Sequence, residues 1–354
     1  MRKNTRQVIA GGVKIGGMSR ISVQSMTNTD TRDAAATGDQ AAALHQAGCD
    51  IVRVSVYDME CAKAIPEIKK YCSAALVADV HFDYRLAMAS IAAGADKLRI
   101  NPGNIGGAGK VFEIAAAAKE RGIPIRVGAN AGSLPRHIMD KYGGLCAEAV
   151  VESALEHVIM LEKAGFYDIV ISVKASDVRL SLDAYRLLSC KIDYPLHLGI
   201  TEAGTGSYAL IKSAAGIGAM LLDGIGDTLR VSLTGDPVKE AEAGLSILRA
   251  CGIEKSGVEV ISCPTCGRCS ISLEPIANAI QKEFANEKRH IKVAVMGCVV
   301  NGPGEAREAD IGIAGGENCA MLFKRGGVVR KIDEERLLEE LILEIRMLLD
   351  SRED

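Results

Sequence analysis

The chain has few of the features that let a protein bind membranes or nucleic acids. Its 354 residues contain no run of about 18 apolar residues, the length that a membrane-spanning helix requires. The formal net charge is only −3, which gives no general attraction to nucleic acid or to an anionic lipid surface. Aromatic residues make up 4% of the chain and tryptophan is absent, so aliphatic side chains and alanine must form the core. We therefore predict a globular protein that binds neither nucleic acid nor membranes.

Signs of export are also missing. The basic start MRKNTRQVIAGGV (1–13) is not followed by a long apolar stretch, so we expect no signal peptide. Eleven cysteines without an export signal indicate a reducing compartment, in which thiols stay reduced or bind metal. We expect a cytoplasmic protein, and a disulfide framework is the weakest interpretation of its cysteines.

A recurring pattern in the first 250 residues predicts alternating helices and strands. An alanine-rich helical stretch precedes a glycine, which suits a helix C-terminus, and then a short β-branched strand. The full pattern occurs at 45–56, 92–101, 119–128 and 162–173, and further strands are predicted at 21–25, 75–80, 195–199 and 228–233. Eight strands separated by helices over about 240 residues predict a (β/α)8 TIM barrel. A doubly wound open sheet is the alternative that the periodicity leaves open.

The composition changes near residue 250, after which the cysteines cluster. The predicted elements there are an amphipathic helix over 274–289, strands over 291–297 and 309–315, a basic hairpin over 324–331 and a closing helix over 334–350. We therefore predict an α/β protein of two domains, a TIM barrel over 1–252 and a small α+β domain over 257–354.

Five cationic residues lie in or directly after the predicted barrel strands: Arg53, Arg99, Arg126, Lys174 and Arg230. Any one of them could reach solvent or pair with a nearby carboxylate, but burying five unpaired cations is expensive. The C-terminal ends of TIM-barrel strands form the mouth where active sites lie, so these side chains would converge there. Because arginine presents a planar fork that matches phosphate oxygens, the sequence predicts a polyanion site, and a diphosphate fits it best.

Other polar residues are predicted at the same mouth. Asn101 and Asn130 follow two of the strands and could donate hydrogen bonds to the anion. Asp79, His81 and Glu202 are candidate proton donors or acceptors. An alternative role for these three, as ion-pair partners of the arginines, stays open.

Two segments rich in cysteine and glycine, SCPTCGRC (262–269) and GCVVNGPGE (297–305), predict a metal site. The four candidate thiolates are Cys263, Cys266, Cys269 and Cys298. Structural zinc and an iron–sulfur cluster both take such ligands, and spacing alone does not separate them. The acidic Glu305, seven residues after Cys298, favours a cluster with one oxygen ligand, because a structural zinc does not need it.

The same segments closely resemble those of the 4-hydroxy-3-methylbut-2-enyl diphosphate synthase family of the non-mevalonate isoprenoid pathway. The barrel half is similar to that family at VQSMTNTDT (23–31), DIVRVSV (50–56), LVADVHFD (76–83), LRINPGN (98–104), IRVGANAGSL (125–134), HLGITEAG (197–204) and GIGDTLRVSLTGDP (224–237). The resemblance covers nearly the whole chain and matches the compact bacterial form of the family.

This resemblance implies a TIM barrel followed by a [4Fe–4S] domain. It implies that Cys263, Cys266 and Cys298 ligate three irons and that Glu305 ligates the fourth. The implied reaction opens 2-C-methyl-D-erythritol 2,4-cyclodiphosphate reductively and removes one oxygen as water. Its two electrons arrive one at a time from reduced flavodoxin or ferredoxin.

The family also suggests roles for the remaining candidates. The basic mouth would bind the cyclic diphosphate, with Ser232 added to the cations and asparagines as a binding residue. Asn301 would position the substrate oxygen, and Asp79, His81 or Glu202 would protonate the departing hydroxyl. A head-to-tail homodimer is implied, in which one subunit's barrel faces the other's cluster domain and domain movement closes a shared active site.

Cys269 departs from the family pattern. It could compete with Glu305 for the fourth iron, or it could pack as a small hydrophobic residue, which we favour. Two rival functions also follow from the residues. One is a class I aldolase that forms a Schiff base through Lys174 and carries a structural zinc in its tail. The other is a non-enzymatic electron carrier, which leaves the cation-lined barrel unexplained.

Overall fold

The computed structural model describes residues 2–285, 287–298 and 306–351. The chain divides into two compact units, Met1–Cys251 and Gly252–Asp354. Each unit has a hydrophobic core of its own. None of the helices in the described ranges is long and apolar enough to cross a membrane.

The first unit contains a two-stranded hairpin and eight further strands. The hairpin strands are β1 (Val8–Ala10) and β2 (Val13–Ile15). The others are β3 (Ser22–Met26), β4 (Ile51–Ser55), β5 (Ala75–Asp79), β6 (Lys97–Arg99), β7 (Ile125–Asn130), β8 (Ile169–Lys174), β9 (His197–Leu198) and β10 (Thr228–Leu229).

Strands β3 to β10 pair in parallel in the order β8-β7-β6-β5-β4-β3-β10-β9. A further parallel bridge joins Ile171 of β8 to Leu196, which directly precedes β9. This bridge brings the two edges of the sheet together, as in a TIM barrel. The predicted barrel is confirmed and the doubly wound sheet is not found.

Helices follow the strands of the barrel and cover its outside. They are α1 (Ala34–Gln46), α2 (Met59–Ile68), α3 (Tyr84–Ala92), α4 (Ala108–Arg121), α5 (Arg136–Tyr142), α6 (Ala147–Lys163), α7 (Val178–Lys191), α8 (Gly206–Leu222) and α9 (Val238–Ala250). Aspartate side chains begin several of them. Asp33 accepts a hydrogen bond from the Ala36 amide and Asp58 from the Cys61 amide, which satisfies amides that a helix start leaves unpaired.

The β1–β2 hairpin closes the amino-terminal end of the barrel. Its apolar residues pack against inward-facing residues near the strand starts, namely Val8, Ala10 and Ile15 against Ile51, Ala75, Val77 and Val170. The sequence analysis does not predict this hairpin, because two strands of three residues are too short to show a period.

The second unit is a five-stranded mixed sheet with two helices on one face. Its elements are β11 (Val258–Ser262), α10 (Leu273–Glu283), β12 (Ile291–Met296), β13 (Ile311–Gly316), β14 (Cys319–Lys324), β15 (Gly327–Asp333) and α11 (Leu337–Asp350). The strand order is β11-β12-β13-β14-β15, and the first three strands run parallel. The small α+β fold is as predicted, although β11 is an additional strand.

The predicted basic hairpin joins β14 and β15 through Arg325 and Gly326, both with positive φ. Acidic residues of α11 pair with its cations. Lys324 lies 2.6 Å from Glu344, and Arg330 lies 2.5 Å from Glu340 and 3.0 Å from Glu344. The charge of this stretch is therefore partly balanced within its own unit.

Candidate active site

The five predicted cations gather inside the barrel. Arg99 and Lys174 end β6 and β8, and Arg230 directly follows β10, whereas the sequence predicted Arg230 within a strand over 228–233. Arg53 and Arg126 lie within β4 and β7 and so start deeper in the barrel than the predicted mouth. All five side chains are largely or fully buried.

Asp79, the last residue of β5, joins two of these cations. Its carboxylate lies 3.1 Å from Arg99 Nη1 and 3.7 Å from Arg53 Nε, and His81 Nε2 lies 3.4 Å away. Burial by itself would raise the pKa of Asp79, but Arg53, His81 and Arg99 outweigh it and hold that pKa well below its usual range. Burial lowers the pKa of Arg53 to about 10, against the opposing charge of Asp79. Asp79 is therefore ionised at neutral pH.

Arg126 and Lys174 have no such carboxylate among the described residues. Arg126 Nη1 donates to Ser172 Oγ at 3.0 Å, while its Nε and Nη2 atoms are buried without a hydrogen-bond partner in the described ranges. Burial and then the neighbouring arginines lower the pKa of both groups well below their usual values. Two buried cations whose charge is not matched within the barrel are suited to an anionic ligand.

Lys174 also explains the absence of a side chain at Gly199. A β-carbon there would lie 2.7 Å from Lys174 Nζ and 2.8 Å from the Arg230 carbonyl oxygen. Gly199 directly follows β9, so the lysine occupies space beside that strand end. The glycine therefore makes room for a buried cation.

Arg230 is paired with Glu240, a buried residue of α9. Arg230 Nε and Nη2 each lie 3.1 Å from a carboxylate oxygen of Glu240. The same carboxylate accepts hydrogen bonds from Ser25 Oγ at 2.8 Å and from the Leu233 amide at 3.0 Å. This network fixes the arginine fork at the end of β10.

We expect the Glu240→Gln variant to lower the free energy of unfolding by about 3–5 kcal/mol, because it leaves Arg230 buried without its counter-charge. Urea unfolding followed by circular dichroism measures this change. The matched control is Glu113→Gln, which removes a partner of Lys110 on the exposed face of α4 and should cost less than about 1 kcal/mol. Equally small losses of unfolding free energy in both variants would contradict the role assigned to Glu240.

The remaining barrel candidates lie in the segments that follow the strands. Asn101 Oδ1 accepts a hydrogen bond from the Gly103 amide at 3.2 Å. Asn130 ends β7 and is exposed, and Ser232 is half-buried two residues after Arg230. Glu202 is exposed and has a φ of +52°, an uncommon left-handed conformation for a residue other than glycine. Their binding and proton-transfer roles stay predictions.

In the second unit, the segment that carries the first three cysteines lies against the end of β12. The Gly297 amide donates to Cys263 Sγ at 3.3 Å, and the Ser270 amide donates to the Gly297 carbonyl at 2.9 Å. The Cys269 amide donates to the Cys266 carbonyl at 2.9 Å, which forms a turn between these two residues. These contacts place Cys263 beside the backbone that leads directly to Cys298.

Cys269, like Cys263, contacts the hydrophobic core of the second unit. Its Sγ donates to the Ile271 carbonyl at 3.3 Å and packs against the hydrophobic core of the unit. A β-carbon at Gly297 would lie 2.6 Å from this sulfur. Cys266, by contrast, is exposed. The packing agrees with the interpretation of Cys269 as a small hydrophobic residue.

The ligand set of the metal site is not assembled in the described ranges. Asn301 and Glu305 lie outside those ranges, and within them no group of three or more His, Cys, Asp or Glu residues is arranged to hold a metal ion. All eleven cysteines belong to the described part of the chain, and none of them forms a disulfide. Cys263, Cys266, Cys298 and Glu305 therefore stay predicted ligands.

Three buried charged residues of the first unit were not identified from the sequence: Lys97, Asp227 and Glu240. Glu240 lies ten residues after Arg230, in helix α9, and only the tertiary fold shows that the two side chains pair. Lys97 precedes Arg99 by two residues in the same apolar strand and is completely buried. Since residues two apart on a strand share a face, the spacing could have identified Lys97 as a further inward-facing cation.

Comparison with known proteins assigns the chain to a family. The family models for the GcpE TIM-barrel domain and the GcpE protein C-terminal domain match residues 5–245 and 259–347. The chain belongs to the GcpE family. This membership confirms the resemblance that the sequence motifs indicated, and the two GcpE domain matches fall in the two compact units.

Curated GcpE relatives match over almost the entire chain. One from Caldanaerobacter subterraneus subsp. tengcongensis is 59% identical over 349 residues and covers 99% of this chain and 98% of the relative. One from Geobacter sulfurreducens is 55% identical over 352 residues and covers 99% and 100%. Both are named 4-hydroxy-3-methylbut-2-en-1-yl diphosphate synthase (flavodoxin).

Solved structures of other enzymes share the GcpE barrel fold. A type I 3-dehydroquinate dehydratase from Clostridium difficile has a TM-score of 0.51 and 14% identity, and the match covers 70% of this chain and 98% of that chain. A 3-dehydroquinate dehydratase from Geobacillus kaustophilus has a TM-score of 0.50 and 13% identity, with 71% and 99% covered. At this identity the likeness concerns the fold alone.

Proposed function

We propose that this GcpE-family protein is the oxidoreductase that converts 2-C-methyl-D-erythritol 2,4-cyclodiphosphate to 4-hydroxy-3-methylbut-2-enyl diphosphate in isoprenoid precursor biosynthesis. Relatives 55–59% identical over nearly the full chain are named for this product. The observation in the structure that carries the proposal is the set of buried cations, two of which lack a carboxylate partner in the described ranges. The aldolase alternative is not favoured by these relatives.

The charge of the reactants fits this cation set. Each phosphorus of the cyclic diphosphate carries one ester bond, one anhydride bond and one negative charge, and opening the ring turns one of them into a terminal phosphate with an additional ionisable oxygen. We propose that Arg53, Arg99, Arg126, Lys174 and Arg230 bind the diphosphate and stabilise the charge that develops on it, an interaction stronger in the transition state than in the substrate. Asn101, Asn130 and Ser232 would donate neutral hydrogen bonds to its oxygens.

Conversion of substrate to product takes up two electrons and two protons and releases one water. Asp79 is a poor proton donor, because the surrounding cations hold it ionised. Its assigned role is to orient Arg53 and Arg99. We propose His81 as the donor to the departing hydroxyl, since its ring lies 2.7 Å from Arg99 Nη1 and 3.4 Å from Asp79 and is still half-exposed. Glu202 at the same mouth is the alternative donor.

The reaction needs a redox group, and the chemistry of the second unit fits an iron–sulfur cluster. Cys263, Cys266 and Cys298 would hold it together with Glu305, and when bound a [4Fe–4S] cluster supplies the electrons one at a time. The amide of Gly297 that donates to Cys263 Sγ supports this assignment, because hydrogen bonds to sulfur stabilise the negative charge of a thiolate ligand. Asn301 would position the substrate oxygen.

The remaining assignments follow the family. Residues 1–252 would bind the substrate and residues 257–354 the cluster. Reduced flavodoxin is the proposed electron donor, because the names of both relatives include flavodoxin. Ferredoxin is the alternative. A head-to-tail homodimer would complete the active site, and sedimentation velocity at micromolar protein would detect it.

The direct test is metal analysis followed by turnover. Protein purified without oxygen should contain about four irons and four sulfides per chain, the content of a cubane cluster. It should convert the cyclic diphosphate when reduced flavodoxin is present. One zinc without sulfide would contradict the proposal, and trapping of Lys174 by borohydride with a carbonyl compound would then support the aldolase.

A further inference from the structure

A second polar layer lies inside the barrel, beneath the five cations. Lys97 precedes Arg99 by two residues, and Thr228 precedes Arg230 by two, so each shares a face with the cation above it. Leu98 and Leu229, the intervening residues, pack in the core between strands and helices. Strand register places Ser22 and His197 level with Thr228. Gln24 lies on the same inward face of β3, two residues after Ser22. We call the five buried residues Ser22, Gln24, Lys97, His197 and Thr228 the lower layer.

The polar atoms of the lower layer are buried and without partners in the described ranges. Lys97, Gln24, His197 and Thr228 are 0% exposed and Ser22 is 2% exposed. Lys97 Nζ, both ring nitrogens of His197 and both amide atoms of Gln24 have no hydrogen-bond partner among the described residues. An apolar floor formed by the β1–β2 hairpin lies beneath them. The Lys97 amine is thus fully buried inside the barrel.

The charges around Lys97 are almost all positive. Arg126 on β7 and Arg53 on β4 lie near it, and burial followed by these two charges lowers the pKa of the Lys97 ammonium well below its usual value. Lys97 forms no ion pair with any carboxylate of the described residues. Asp79 at the end of β5 is paired with Arg53 and Arg99, and Glu240 of the outer helix α9 is paired with Arg230. The buried Asp227, which directly precedes Thr228, is paired with Arg2 at 2.6 Å. Nothing in the chain itself therefore favours a charged Lys97.

We propose that Lys97 takes up a proton when the diphosphate binds above it. Lys97 is then a positioning residue that adds charge to the site without touching the ligand. The inference rests on the proposed function, because it requires a diphosphate on the five cations. In this step the Lys97 amine gains one proton from solvent and becomes an ammonium, and no other bond changes.

The physical reason is the sign of the field at Lys97. In the ligand-free barrel, an ammonium there would face Arg53 and Arg126, and the neutral amine is favoured. Two negative charges on the ligand offset this field and raise the pKa of Lys97 in the complex. By linkage, substrate affinity then falls as pH rises through the pKa of the complex, and protons are taken up between the free and bound pKa values.

Other groups that face Lys97 could take the proton instead. His197 on β9 is buried, and burial followed by Lys174, Arg126, Lys97 and Arg53 lowers its pKa well below the usual value. Lys174 on β8 contributes as well, because it lies in the upper layer with a similarly lowered pKa. Asp79 on β5 stays ionised, and Arg99 and Arg230 stay charged. The test must therefore separate Lys97 from His197 and Lys174.

Isothermal titration calorimetry provides this separation. The cyclic diphosphate is titrated into oxidised holoenzyme without an electron donor, so binding occurs without turnover. Its two phosphate groups, each with one ester and one anhydride bond, carry no proton to exchange near neutral pH. Repeating the titration in buffers of different ionisation enthalpy gives the number of protons taken up per ligand, here at neutral and mildly alkaline pH.

We expect wild-type protein to take up protons and the Lys97→Met variant to take up fewer, by as much as one proton per ligand. The matched control His197→Gln, which removes the other titratable group of the lower layer, should match wild type. Lys174 is present in both variants, so any proton that it takes up is counted equally in both.

Binding by wild-type protein without proton uptake would overturn the inference and leave the proposed function standing, whichever variants fold. Equal uptake by wild type and Lys97→Met would also overturn it, as would a loss confined to His197→Gln. Failure of the cyclic diphosphate to bind at all would overturn both the inference and the proposed substrate.

Discussion

The Cys266→Ser protein is expected to lose its iron and its turnover, while Cys269→Ser keeps both. Cys266 is an exposed thiol at the start of the turn to Cys269, and it is one of the proposed cluster ligands. We expect kcat to fall by more than about 100-fold, since even outer partners of metal ligands cost ~10–100-fold when removed. Iron and sulfide analysis together with turnover of the cyclic diphosphate measures both effects.

Cys269→Ser is a matched control because it makes the same atomic change three residues away. Its sulfur donates to the Ile271 carbonyl and packs in the core, so a serine hydroxyl can keep that hydrogen bond. We also expect Cys269→Ser to lower the thermal stability modestly, because it buries a hydroxyl in place of a thiol. Loss of iron in Cys269→Ser with iron retained in Cys266→Ser would reverse the assigned ligand set.

The Arg126→Met protein is expected to be more stable and much less active than the wild type. Arg126 is 3% exposed and has two buried nitrogen atoms without partners in the described ranges. Replacing a buried charge by an apolar side chain of similar length should raise the free energy of unfolding by about 1–4 kcal/mol. Loss of one preorganised cation should lower kcat by about 10²–10³-fold.

A gain in stability together with a loss of activity would show that Arg126 binds substrate and does not hold the fold together. Urea unfolding gives the stability, and turnover with saturating reduced flavodoxin gives kcat and KM. The control is Arg20→Met, because Arg20 pairs with Asp50 on the surface at 2.8 Å and is 49% exposed. It should change stability by less than about 1 kcal/mol and leave turnover intact. A destabilised Arg126→Met protein would show that the arginine holds the barrel together.

The barrel was predictable because its strands are buried on both faces. Runs such as the one in β8 consist almost entirely of β-branched residues, and charged residues inside such runs are conspicuous. Lys174 was therefore placed correctly at the end of its strand, whereas Arg99 and Arg230 were expected inside strands longer than those in the structure. The depth of Arg53 and Arg126 was not predictable, because the stagger of neighbouring strands in a barrel decides it.

Other parts of the fold depend on contacts that sequence periodicity does not encode. Strands β1 and β2 have three residues each and are defined by packing on the barrel floor. Glu240 belongs to a helix whose pattern gives no sign of a partner on β10. Strands β9 and β10 are shorter than predicted, with two residues each. Tertiary packing, and not local preference, sets each of these features.

The hairpin floor gives the barrel a single entrance. Because Val8, Ala10 and Ile15 fill the amino-terminal end, a ligand held by the cations must leave through the opening by which it entered. Under the proposed assignment, the linear product carries more negative charge than the cyclic substrate, so the same arginines would retain it more strongly. Exchange of product for substrate at this opening would then limit turnover, and accumulated product would compete directly with fresh substrate.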